Sequence, residues 1–137
     1  MEFNEERARF AGERLNELPF ARLMGMRLTA MSMSEATIEL DVRDDLRQPS
    51  GVLHGGVTAT LIDTAMAFAV RSHLEDTEPT ATIDLTVHYL RPVIEGKAVC
   101  TARVIRPGKR IFTVLADVHD ATGKLVATGI STYTRIN

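Results

Sequence analysis

The hydrophobic positions of this chain change period twice. Between residues 4 and 18, Ala8, Ala11, Leu15 and Leu18 recur at three- to four-residue spacing, the stripe of an amphipathic helix, which Pro19 closes. Phe20, Leu23, Met24 and Met26 around Gly25 read as a packed connector. From Met26 to Met31 and from Glu35 to Val42 the period falls to two, which predicts two strands with a turn at Met33-Ser34. After a polar loop, Asp44 to Arg47, a second helix is predicted from Gly55 to Ser72. Its apolar residues (Val57, Leu61, Ile62, Ala65, Met66, Phe68 and Val70 among them) leave no broad polar stripe, the pattern of a helix enclosed by protein. At about 1.5 Å per residue it spans about 27 Å.

Beyond a turn-rich break at Glu75–Pro79, alternation resumes. Ile83, Leu85, Val87 and Tyr89 share one face, and Thr82, Asp84, Thr86 and His88 the other. Arg91-Pro92 ends that strand; Ala98–Arg106, Arg110–His119 and Lys124–Arg135 supply three more. R-P-G-K at 106–109 carries Pro and Gly where a type II turn has them, and D-A-T-G at 120–123 makes the last turn. Short connections imply antiparallel neighbours. The expected architecture is α+β, one antiparallel β-sheet wrapped around a long central helix, in a single domain over residues 1–137.

Composition narrows the function classes. The chain is 45% hydrophobic and 25% charged, with a net charge of −2, so bulk electrostatics favours neither nucleic acid nor an anionic membrane. No apolar run reaches transmembrane length, and the N-terminus lacks the layout of a secretory signal. Cys100 is the only cysteine, which rules out an internal disulfide and fits a cytoplasmic protein. It alternates with Ala98 and Ala102 on a strand and reads as core. His73, His88 and His119 are dispersed without ligand spacing, so no metal site is expected. A G-x-S-x-G elbow and a P-loop are both absent.

The residue that needs a reason is Asp63, one carboxylate midway along an apolar helix. A lone charge there costs several kcal/mol unless paired, hydrogen-bonded or wet. Threonine capping of a buried Asp is ordinary structural chemistry. What turns the reading toward catalysis is H-G-G at 54–56, placing His54 nine residues before the acid.

G-V-L-H-G-G-V-T-A-T-L-I-D-T-A, with T-I-D-L-T-V-H-Y-L-R-P about twenty residues later, resembles the hotdog-fold acyl-CoA thioesterases. The likeness is greatest to the phenylacetyl-CoA thioesterase branch, and P-F-A-R-L-M-G-M, P-G-K-R and G-K-L-V-A-T-G extend it over nearly the whole chain. It implies hydrolysis of an acyl-CoA substrate without metal or cofactor. It also implies a homodimer at minimum, with sheets joined and often paired into a homotetramer. The family acid falls on Asp63, its Asn or Gln on Gln48, and its assisting hydroxyl on Thr82. Coenzyme A contacts fall near Tyr89, Arg91, Gly108, Lys109 and Arg110.

The chemistry suits these residues. The first backbone N–H groups of a helix have no intrahelical partner and lie at its positive pole, and glycine permits close approach. The thioester carbonyl contact is therefore assigned chiefly to the Gly55 N–H, with the Gly56 N–H as the alternative, His54 shaping the loop and Gln48 holding water or thioester. Asp63 then attacks the carbonyl or removes a proton from water. Eight residues of helix separate Gly55 from Asp63, about 12 Å, whereas reacting groups must come within about 3.5 Å. Both ends serve one thioester only if they come from different subunits, so each site is expected to span a dimer interface. Ala59, Ala67 and Ala69 leave room for the acyl group without defining its shape. The rival readings are a non-catalytic acyl-CoA-binding module and, with less support from the arrangement of acid and His, a hydratase or dehydratase.

Overall fold

The computed structural model describes residues 2–136. Helix α1 (Glu5–Glu17) starts at Asn4, whose side chain accepts the Arg7 N–H at 3.0 Å. Pro19 ends it and also begins another element. The expected connector is a second helix, α2 (Pro19–Met24), closed by Gly25 at φ 74. Proline suits a first helical position, and six residues are too few to display a helical period.

The strands are β1 (Arg27–Ser32), β2 (Glu35–Asp41), β3 (Thr80–Tyr89), β4 (Lys97–Pro107), β5 (Ile111–Asp120) and β6 (Leu125–Arg135). They form one antiparallel sheet in the order β1-β2-β4-β5-β6-β3. Short connections make neighbours of β1 with β2, β4 with β5 and β5 with β6. The β3–β4 connection departs from that rule. β3 pairs with β6 at the sheet edge, and residues 90–96 carry the chain across to β4 at the side of β2. That segment is held on the way, Val93 O accepting the Leu53 N–H at 2.8 Å.

Helix α3 (Gly55–Arg71) crosses the concave face of the sheet, packed chiefly against β4, β2 and β5. Leu61, Ile62, Ala65, Met66, Ala69 and Val70 are fully buried, the larger ones contributing about 1.5–3 kcal/mol each. Beneath it lies a floor of small residues: Ala36, Ala98, Cys100, Ala102, Ala116 and Gly129. A Cβ on Gly129 would stand 3.1 Å from Ile62 Cγ2 and 3.3 Å from the Thr86 carbonyl, so the helix rests on bare backbone there. Burial raises the Cys100 thiol far above its usual acidity range, so it stays protonated and inert.

Two further expectations are corrected. α3 is not enclosed on every side. Thr60, Asp63, Thr64, Ala67 and Arg71 form a half-exposed stripe, because residue pattern does not distinguish cover by the same chain from cover by another. The 106–109 turn is not type II, since Gly108 has no positive φ. Its glycine is required by proximity: a Cβ would lie 2.4 Å from the Ile111 carbonyl, which accepts the Gly108 N–H at 2.9 Å. Among the described residues no helix is long and apolar enough to cross a membrane.

Candidate active site

The loop entering α3 is fastened on both sides. His54 donates its backbone N–H to Leu46 O at 2.8 Å, and Arg47 donates to the carbonyls of Gly51 and Ile94, both at 2.5 Å. The His54 ring turns inward on its own helix, Nδ1 accepting the Gly56 N–H at 2.9 Å. That cap occupies the Gly56 N–H, the alternative carbonyl donor of the sequence reading, and leaves the Gly55 N–H free: it donates to no protein atom among the described residues. It borders a cleft of about 490 Å³ lined by Gln48, Gly55, Tyr89, Leu90, Arg91 and Val126, among others. Tyr89 fastens the other side of the glycine, its hydroxyl donating to Gly55 O at 2.6 Å. Ala59, Ala67 and Ala69 do not line this cleft, and Ala69 is in the core.

Asp63 stands two turns further along, at the opposite end of β3. Thr82 Oγ1 donates to its Oδ1 at 2.8 Å, and the Tyr133 hydroxyl donates to the same oxygen. Oδ2 receives no donor from the described residues. Tyr133 is 2% exposed, and its phenol is held well above its ordinary pKa, first by burial and then by the adjacent carboxylate. It therefore remains a proton donor. Sequence reading missed this residue. On β6 it is one inward position among several, and the available signal was a polar tip on an otherwise apolar core face.

The turn bearing Gly108, Lys109 and Arg110 lies at the Asp63 end of the sheet. Ile111 pairs with Thr134, Ala81 pairs with Thr134 from the other side, and Arg135 N–H donates to Arg110 O at 3.0 Å. Lys109 and Arg110 are exposed and form no ion pair among the described residues.

The sequence-predicted residues thus fall into two groups. Gln48, His54, Gly55, Tyr89 and Arg91 cluster where α3 begins and β3 ends. Asp63, Thr82, Gly108, Lys109 and Arg110 cluster where β3 begins. Thr82 and Tyr89 lie about 20 Å apart along the strand, so one chain keeps the two groups apart.

A six-stranded antiparallel sheet curled on one long helix, with an H-G-G helix start, is a hotdog fold. The thioesterase superfamily model matches residues 50–127, more than half of the chain, and the chain belongs to that family. It is similar to human acyl-coenzyme A thioesterase 13, with 34% identity over 113 residues and 80% of each chain covered. Among solved structures it is similar to a thioesterase from Haemophilus influenzae, with 26% identity, a TM-score of 0.87, and coverage of 100% of this chain and 93% of the other. A mutant of the phenylacetic acid degradation protein PaaI from Thermus thermophilus has 28% identity and a TM-score of 0.80, covering 87% of this chain and all (100%) of its own. The chain is an enzyme of the thioester hydrolase class.

Proposed function

We propose that the protein hydrolyses the thioester of an aryl- or short- to medium-chain acyl-CoA, releasing the free acid and coenzyme A, in one catalytic domain. The observation that carries this reading is the pair of half-sites at the two ends of β3. β3 is an edge strand of ten residues with exposed Ile83 and Tyr89, and nothing among the described residues covers its outer side. Such an edge is a template for another strand. Antiparallel pairing of β3 with its copy about a two-fold axis near Leu85 and Thr86 sets Thr82 of one chain beside Tyr89 of the other. The same operation delivers Asp63 to the glycine helix start of the second copy, twice per dimer. It also covers part of the half-exposed stripe of α3.

In that arrangement the thioester carbonyl accepts from the Gly55 N–H of one chain, where helix polarity favours the developing oxyanion. Asp63 of the other chain acts through Oδ2. It either takes a proton from a water that adds to the carbonyl, or adds to the carbonyl itself and is released by water. In both cases the C–S bond breaks and coenzyme A leaves as a thiol. Gln48 holds the water or thioester, His54 keeps the helix start open by occupying the Gly56 donor, and Thr82 steadies Asp63. Tyr89, Arg91, Gly108, Lys109 and Arg110, brought to one rim, receive the coenzyme A portion. The working unit is a homodimer at minimum, with further pairing to a homotetramer.

Free-thiol release from a panel of phenylacetyl-, hydroxybenzoyl- and hexanoyl-CoA tests the activity. Asp63→Asn is expected to reduce turnover at least about a hundredfold while fold and oligomer persist. Tight binding with no thiol released from any member would instead identify a binding module.

A further inference from the structure

We propose that Tyr133 is a positioning residue for the hydrolysis: its phenol holds Oδ1 of Asp63, so that Oδ2 is the oxygen presented to the substrate. The inference rests on the reading of Asp63 as the acting acid. Thr82 and Tyr133 lie directly opposite each other on β3 and β6, and both aim their hydroxyls at the same carboxylate oxygen. They are not equivalent. Thr82 sits on the edge strand with little of its own chain packed around it, whereas the Tyr133 ring is walled into the core and its hydroxyl stays in place. The buried partner therefore sets the carboxylate plane, and the exposed one follows.

The phenol also has a second seat. It carries one hydrogen and faces two acceptors on Asp63: Oδ1 and the backbone carbonyl, 2.6 Å away. While the carboxylate is charged, Oδ1 is the stronger acceptor. When Oδ2 gains a proton or a bond to carbon, Oδ1 loses charge, and the hydrogen turns to the carbonyl rather than being left buried without a partner. The cost of an unsatisfied buried donor is avoided at both stages. Tyr133 makes no contact with substrate in this scheme; it acts only through Asp63.

Tyr133→Phe keeps the ring and removes the hydroxyl. With phenylacetyl-CoA, kcat is expected to fall about tenfold, with KM changed by less than about twofold. The acid limb of the kcat–pH profile should move up, because the charged carboxylate loses a donor. Incorporation of 3-fluorotyrosine at position 133 leaves packing intact and makes the phenol a stronger donor, so that limb should move down with turnover retained. A merely structural hydroxyl moves neither limb. An unmoved kcat and acid limb in Tyr133→Phe, alongside inactive Asp63→Asn, overturns the positioning role and leaves the acid assignment standing. Full turnover in Asp63→Asn overturns both. Should Tyr133→Phe fail to fold, the fluorinated protein decides: an unmoved limb overturns the proposal.

Discussion

Gly55→Pro paired with Asp63→Asn tests the shared site directly. Gly55 is the first residue of α3, where proline is geometrically welcome, and His54 at φ −61, ψ 134 is already in the region that a following proline requires. The ring deletes one thing of chemical interest, the free N–H. Loss of one such donor reduces turnover by about 10²–10³-fold, and loss of the acid by at least about a hundredfold. Within one chain the two lesions lie about 12 Å apart along the helix, far beyond the reach of one carbonyl carbon. If the two purified variants are mixed in equal amounts and allowed to exchange subunits, about half of the dimers are mixed. Each mixed dimer has one site with both lesions and one with neither. Thiol release should therefore recover to about one quarter of wild-type. Recovery is read against unmixed controls, with subunit exchange verified by native mass spectrometry. Complete exchange without recovery would show that each site belongs to one chain, and the two-fold reasoning would fail.

Other outcomes follow from single features. Replacing Lys109 and Arg110 together with Ala should raise KM for acyl-CoA by about three- to tenfold, and leave hydrolysis of the matching N-acetylcysteamine thioester unchanged, since that analogue has no phosphates. Gly129→Ala presses on Ile62 and the Thr86 carbonyl and should cost about 1–3 kcal/mol, read as a lower urea midpoint at constant m-value. Burial, and secondarily Arg135, holds the His73 imidazole below its ordinary 6.5, while Ser34 Oγ at 2.7 Å and the Phe112 ring are its other close neighbours. The unfolded chain then binds this proton first, so the contribution of His73 is fully present above about pH 6.5 and is lost as pH falls below it. Urea midpoints should drop between about pH 7 and 5.5, and His73→Gln should flatten that slope; an unchanged slope in the variant refutes the assignment.

What the sequence disclosed depended on how local the physics was. Period-two and period-three-to-four patterns marked all six strands and the helices α1 and α3, because side-chain direction repeats within each element. α2 escaped because six residues hold no period, and Pro19 served at once as stop and start. The partner of β3 also escaped. The order of strands is set by where the 90–96 segment crosses, and Val93, anchored to Leu53, looks like any loop valine in sequence. Asp63 and Gly55 stood out as candidates through helix pattern and spacing, and Thr82 only through the family resemblance. Tyr133 did not, because its meaning comes from the residue opposite it in the β3–β6 register. Gly108 was found for the wrong reason, as a left-handed turn position rather than a point of contact with Ile111.

The floor of alanines, cysteine and glycine beneath α3 has a consequence for how this enzyme can change. A bulkier side chain on that floor, at Gly129 first of all, presses on the rod that carries both Asp63 and the Gly55 amide, and in the proposed dimer those two groups serve different sites. Variation in the cleft is therefore expected at exposed positions such as Leu90 rather than at core residues such as Val126, while the bed under the helix stays shut to it.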